Sequence, residues 1–326
     1  MNWFARLFGR AAPKTDAHAP AAHDARAIAA PPAPAPAPES PPDIDLAFFH
    51  WLAGPHVKGA PVGGNLILDE LARLGRDPED AASLVPRVPA VIPQLLHSLR
   101  DEGSSSMTLA RLLAQDAVLV AEVIREVNSP FYKPATPVRN LEGALLLLGQ
   151  NGLRMLLARV AFRPIINMQT GPLARHVAPA LWRHSGKSAL AASLLAPRLG
   201  ADPFEAYLAG LMHDVGLVVA FRVIDGLVPA GALPDDDAFG RGLIMVARRI
   251  SARIATQWAL PAPIGHAIVH IGDAGALPAT LAAADRLAKL RMLAGSGQPA
   301  FVHAATLLGA HELQVYQRLD DQSDQE

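Results

Sequence analysis

Apolar residues recur along this chain at the three-and-four spacing of helices, and nowhere does a strict alternation bounded by hairpin turns suggest strands. Trp3, Phe4, Leu7 and Phe8 would share one face of a short amphipathic turn, with Arg6 and Arg10 elsewhere on its cylinder. An Ala/Pro/His-rich stretch follows to Pro42, including PPAPAPAPESPP, a composition expected to stay extended and solvated. Leu46, Phe48, Phe49, Trp51 and Leu52 form an apolar patch, after which Gly and Pro interrupt the chain up to Gly64. Helices are then predicted over 65–73 and 88–99, and a stripe of Leu109, Leu112, Leu119, Val123 and Val127 continues the pattern with Asp116 placed as a cap. The proline-rich NSPFYKPATPV is read as a loop. Beyond it, helices are predicted over 141–148 and 153–162, divided by LGQNG, and over 177–199. Asp202, Pro203 and Glu205 carry the signature of a helix start, and the helix they open is expected to run through His213 and Asp214. Four more are predicted over 243–258, 263–271, 280–293 and 304–319, before the acidic tail DDQSDQE.

The fold class expected from this pattern is all-α: a multi-helical bundle in two lobes, preceded by a disordered Ala/Pro-rich segment. The boundaries are 1–43 for the amphipathic turn and linker, 44–80 for a helical lead-in, 81–293 for the main domain with its N-terminal lobe ending near 165, and 294–326 for a C-terminal helix and tail. Composition narrows the picture. Hydrophobic residues make up 51% of the chain but aromatics only 5%, so the core must be built from Leu, Ala, Val and Ile, which suits helix-on-helix packing. A net charge of -1 without a basic run leaves no electrostatic footprint for nucleic acid. The absence of cysteine excludes disulfides, thiolate metal sites and cysteine nucleophiles. No signal peptide or spanning helix is read in the pattern, so the expected location is the cytoplasm, with peripheral membrane contact through MNWFARLFGR as an added expectation.

Candidate chemistry gathers on few residues. An aspartate flanked by apolar residues must be paired or coordinated, which singles out His213-Asp214 within AGLMHDVGLVV. His184 lies on the preceding long helix, and Asp285 falls on the stripe Leu281, Asp285, Ala288, Met292 that should face the core. His184, His213, Asp214 and Asp285 would together offer nitrogen and oxygen donors from three helices, suited to a divalent cation (manganese, magnesium or iron) that activates water. Taken singly, His184 and Asp285 read more readily as hydrogen-bonded core or surface residues than as ligands, and His213-Asp214 is the stronger candidate. His266 and His270 share a face at i, i+4 but lack a third ligand nearby. In the NSPFY loop, Phe131 and Tyr132 have two readings, as plugs into the core or as a partner-binding patch.

The succession His184, His213-Asp214, Asp285 resembles the pattern of the HD superfamily of metal-dependent phosphohydrolases. A narrower likeness lies upstream: VPAVIPQLL, LAQDAVLVAEVIREVNSPFY, VRNLEGALLLLGQNGLRMLL, LWRHS and EAYLAGLMHDVGLVV are similar, in order and spacing, to the HDOD domain. That resemblance implies a bacterial regulatory or signalling module whose partners are commonly other signalling proteins and whose catalysis is usually undemonstrated or lost. Two departures from the hydrolases matter. Leu217 stands where many carry the lysine of HDxGK, removing a charge that phosphate binding would use. After WALP, Ile271 and Gly272 occupy the place of the paired histidines of HD-GYP phosphodiesterases. A regulatory protein without catalysis is therefore the leading expectation, and a mononuclear metal-dependent phosphohydrolase the alternative.

Overall fold

A computed structural model describes residues 43–57, 63–76, 117–129, 132, 134–167, 171–228 and 232–319. The described residues fall in one compact unit, and their regular elements are helices; among them the sole β-type pairing is an isolated bridge between Val57 and Leu233. The all-α expectation holds. The helix predicted over 88–99 and the Ala/Pro-rich segment lie outside the described residues, so the N-terminal lobe is described only in part.

The elements follow local signals closely. Helix α1 (Ile44–Ala53) is opened by the Asp43 carboxylate, which accepts from the amides of Asp45 and Leu46. Helix α2 (Gly64–Arg76) presents Ile67, Leu71 and Leu74 inward. Helices α3 (Ala117–Val127) and α4 (Leu141–Asn167) pack on each other. The division predicted at LGQNG appears as a kink at Gly149, whose positive φ of 68° a glycine takes without strain. Buried Glu126 on α3 accepts from Arg159 Nε at 2.5 Å on α4, and Arg163 adds a contact at 3.2 Å.

Helix α5 (Pro172–Leu199) is the centre of the bundle, with α6 (Pro203–Met212), α7 (Val215–Leu227) and α10 (Ala276–Gly295) packed on it. Its N-terminus is capped from a distance: Asp225 on α7 accepts from Leu173 N at 3.0 Å and Ala174 N at 2.8 Å. Replacing Asp225 by alanine should cost about 1–2 kcal/mol, the usual range for losing a cap, measured by denaturant unfolding; an unchanged midpoint would show the cap to be idle. Helices α8 (Asp237–Gln257) and α9 (Ala262–Val269) cover the other side of α7 and α6. The single C-terminal helix predicted over 304–319 is two, α11 (Pro299–Thr306) and α12 (Ala310–Arg318), because the chain breaks at Leu307–Gly309.

The stretch predicted as a helical lead-in supplies α1 and α2. Helix α1 packs on α5, α8 and α10, with Leu46, Phe48, Phe49 and Leu52 buried there, while α2 lies on α8 and α7. Two stretches, 141–163 and 203–227, have the length and hydropathy of a membrane span. The first is 50% and the second 89% buried inside the protein, and the second is interrupted at His213-Asp214, as core helices are.

Candidate functional site

His213 and Asp214 do not sit inside a helix, as the apolar pattern around them suggests, but in the turn between α6 and α7. Ser251 on α8 makes the break possible. Its hydroxyl donates to the His213 carbonyl and accepts from the Gly216 amide, each at 2.7 Å, and so satisfies backbone groups that the interrupted helix leaves open. Glycine 216 is needed there, since a Cβ would collide with the Ala247 carbonyl. Close approach also sets the other wall of the site. A Cβ on Gly210 would stand 2.7 Å from the Ala189 backbone, so glycine lets α6 lie against α5 and brings His213 toward His184.

All four residues singled out from the sequence meet. His184 Nδ1 lies 2.5 Å from Asp214 Oδ2, while its Nε2 lies 3.2 Å from Asp285 Oδ1. His213 Nδ1 donates to the Gly210 carbonyl at 2.7 Å, and its Nε2 lies 3.2 Å from Asp285 Oδ1 and 3.5 Å from Asp214 Oδ2. His184 is wholly buried, and the other three are nearly so. Exposed His266 and His270 stack on each other at 4.5 Å, His270 bonding Asp273, and take no part in this group. Phe131 lies outside the described residues; Tyr132 is half-buried and packs against the core, where burial pushes its hydroxyl well above its ordinary pKa.

The donor set fits a divalent ion. Ligand atoms of His184, His213 and Asp285 all lie within 4.8 Å of one another. Asp285 Oδ1 lies 3.2 Å from each Nε2, which matches the roughly 3.0–3.4 Å between neighbouring ligands when each bond is about 2.1 Å. Each histidine has its Nδ1 held by an oxygen, the arrangement that fixes the tautomer and aims Nε2 at a metal. Asp214 Oδ2 meets both rings, at 2.5 Å from His184 Nδ1 and 3.5 Å from His213 Nε2, so it orients His184 and borders the donor set.

Three residues that sequence reasoning passed over complete the cluster. Lys289 Nζ donates to Asp285 Oδ2 and to Asp45 Oδ1, each at 2.6 Å, and Arg248 lies 3.1 Å from Asp45 Oδ2 and 3.6 Å from Asp285 Oδ2. Lys289 follows Asp285 by four positions on α10, a helical pairing visible in the sequence. Asp45, from the first turn of α1, gave no such local signal.

Electrostatics follow from this packing. Burial alone would depress His184, but the charge and hydrogen bond of Asp214, then those of Asp285, raise it to about 9. Burial would raise Asp214, yet His213 and His184 hold it at about 2. Against the same cost of burial, Lys289 and the two histidines keep Asp285 well below the usual carboxylate range, and Asp285 and Asp45 raise Lys289. Without a metal, His184 is thus an imidazolium bridging two carboxylates.

Access is narrow. Phe48 of α1 lies with its ring 4.5 Å from that of His184, and Phe49, Leu52 and Leu217 line the remaining space. The cavity beside the cluster is about 10 Å³ open to a water-sized sphere, room for about one water.

No protein of curated function matches the sequence. An HDOD domain protein of unknown function from Geobacter sulfurreducens is similar in structure, with 27% identity and a TM-score of 0.56 over 77% of this chain and 94% of that one. A protein from Shewanella amazonensis, named provisionally as a metal-dependent phosphohydrolase, shares the fold at 18% identity and a TM-score of 0.52, over 78% of this chain and 97% of that one. A second from the same organism, named provisionally as a phosphohydrolase, aligns at 22% identity with a TM-score of 0.51, over 76% and 97%. The HDOD domain profile itself matches residues 85–273, more than half of the sequence, and the chain belongs to the HDOD domain family.

Proposed function

We propose that this protein is a regulatory, signal-transducing HDOD module that acts through protein-protein contacts in the cytoplasm and does not turn over a substrate. The observation that carries the reading is the closure of the polar cluster. Phe48, Phe49 and Leu52 of α1 cover it, and the apolar Leu217 stands where a phosphate-binding lysine would serve hydrolysis. Besides an open coordination position a hydrolase needs a pocket for its substrate, and room for about one water does not supply that pocket. The partners are other signalling proteins rather than nucleic acid, in keeping with a net charge of -1. MNWFARLFGR adds peripheral contact with a membrane surface.

A second reading, a mononuclear metal-dependent phosphohydrolase, is favoured by the fit of His184, His213 and Asp285 to a divalent ion. Two imidazoles in that set favour iron or manganese over magnesium. When bound, such an ion would supply a polarised water; the chain's own part is to aim two Nε2 atoms and one carboxylate oxygen at it. Purified protein supplied with manganese, magnesium or iron should show no hydrolysis of cyclic dinucleotides or generic phosphodiesters. Metal-dependent turnover that disappears in His213→Ala would overturn the regulatory reading and install the second.

A further inference from the structure

Asp45 is the outlier of the buried cluster. It precedes the matched family domain, which begins at residue 85, and reaches Lys289 across 244 positions of sequence. Its two carboxylate oxygens are divided between two cations, Oδ1 on Lys289 and Oδ2 on Arg248. That division is how an oxyanion is clamped. Neither cation belongs to the His184, His213-Asp214, Asp285 pattern. Were Asp45 withdrawn, Lys289 and Arg248 would share the single carboxylate of Asp285, leaving positive charge in excess in a poorly solvated site. The position is also reachable. The Lys289 side chain is 5% exposed, but Asp45 is 33% and Arg248 20% exposed, so the clamp opens toward solvent over its outer edge.

We propose that Lys289 and Arg248 form an oxyanion-binding site, that Asp45 of α1 is its built-in occupant, and that a phosphoryl oxyanion competes for it and releases α1. The competitor has the means to win. A tetrahedral phosphoryl group offers oxygens to both cations as Asp45 does, with a charge of about -1.5 to -2 for a monoester at neutral pH against -1. Among the other contacts of α1, Phe48 lies against His184 and over Lys289, the latter at 5.8 Å, and the cation contact weakens once the ammonium is drawn to another anion. A released α1 presents Phe48, Phe49 and Leu52, an apolar face fit for a partner. That signalling consequence rests on the regulatory reading above; the oxyanion site does not, so the two fail separately.

The experiment uses the full chain, metal-free, at constant ionic strength, titrated with inorganic phosphate, with a simple phosphomonoester and with chloride. Binding is followed by calorimetry and the release of α1 by hydrogen exchange of amides 44–53. Inorganic phosphate or the monoester should bind and speed exchange in 44–53 at least tenfold, chloride should not, and whichever binds more tightly identifies the source. Asp45→Asn, which keeps the shape and removes the charge, should tighten phosphate binding at least tenfold, and Arg248→Ala, at the rim, should weaken it by a similar factor. Asp45→Asn binding no tighter than the parent, exchange of 44–53 unmoved at saturating phosphate, or an equal response to chloride would each overturn the proposal. If Asp45→Asn proves unfolded, the parent and Arg248→Ala still decide: equal phosphate affinity in the two rejects the site.

Discussion

Replacing Asp285 by alanine should lower the free energy of unfolding by about 3–5 kcal/mol, the cost of leaving a buried partner charge uncompensated. Asp285 accepts from Lys289 at 2.6 Å and lies 3.2 Å from both histidine Nε2 atoms. All of these groups are buried, so water cannot replace the lost carboxylate. Asparagine at 285 should cost less, since it still offers a carbonyl oxygen. The pairing with Lys289 is what the double substitution Asp285→Ala with Lys289→Met isolates. Removing both charges should recover about half of the loss or more, because an apolar side chain of similar length suits a site walled by Phe48. Urea unfolding of the four proteins in chelator measures this directly. Simple additivity of the two single substitutions would mean that Lys289 and Asp285 do not depend on each other.

Much of the bundle was legible because helical periodicity, caps and proline placement are local. Asp202, Pro203 and Glu205 marked the start of α6, and the observed cap is the Asp202 carboxylate on the Glu205 amide. What failed was set by distant residues. The apolar run through AGLMHDVGLVV gives no sign of a break, since the groups that the break exposes are met by Ser251, 38 positions away from His213. The same holds for Asp225, which caps α5 from 52 positions beyond Leu173. At 304–319 the signal was present but outvoted: Gly309 marks the start of α12, yet apolar spacing continues across it. The candidate site was read from ordered motif residues, and His184, His213, Asp214 and Asp285 do meet in space. Their roles were not readable, because which donor atoms converge depends on which ring nitrogen each histidine turns inward. Nor was the cover. An apolar patch at 46–52 looks the same whether it leads into a domain or closes over its polar centre.

Stability of the metal-free protein should fall as the pH rises from 6 to 9.5. His184 has a folded pKa of about 9 against 6.5 for a free side chain. A group raised on folding contributes fully below its unfolded value, and that contribution disappears as the pH passes through the folded one. The loss therefore runs from about pH 6.5 to 9. Asp214, held at about 2 against 3.8, acts in the opposite sense: its contribution is complete above about pH 4 and is lost toward pH 2. Both shifts share the 2.5 Å contact of His184 with Asp214, so they are not to be added. The alkaline loss should be about 1–3 kcal/mol, the upper end being the whole His184 shift at 1.36 kcal/mol per unit. A divalent ion changes the outcome in a specific way. It can take His184 Nε2 only after the proton there leaves, so apparent affinity for manganese should climb about tenfold per pH unit below 9, with one proton released per ion bound. Saturating manganese should then flatten the alkaline decline that chelator reveals. Stability independent of pH between 6 and 9.5 in chelator would show that His184 is not the imidazolium bridging Asp214 and Asp285. A manganese affinity independent of pH over the same range would place the ion away from His184 altogether.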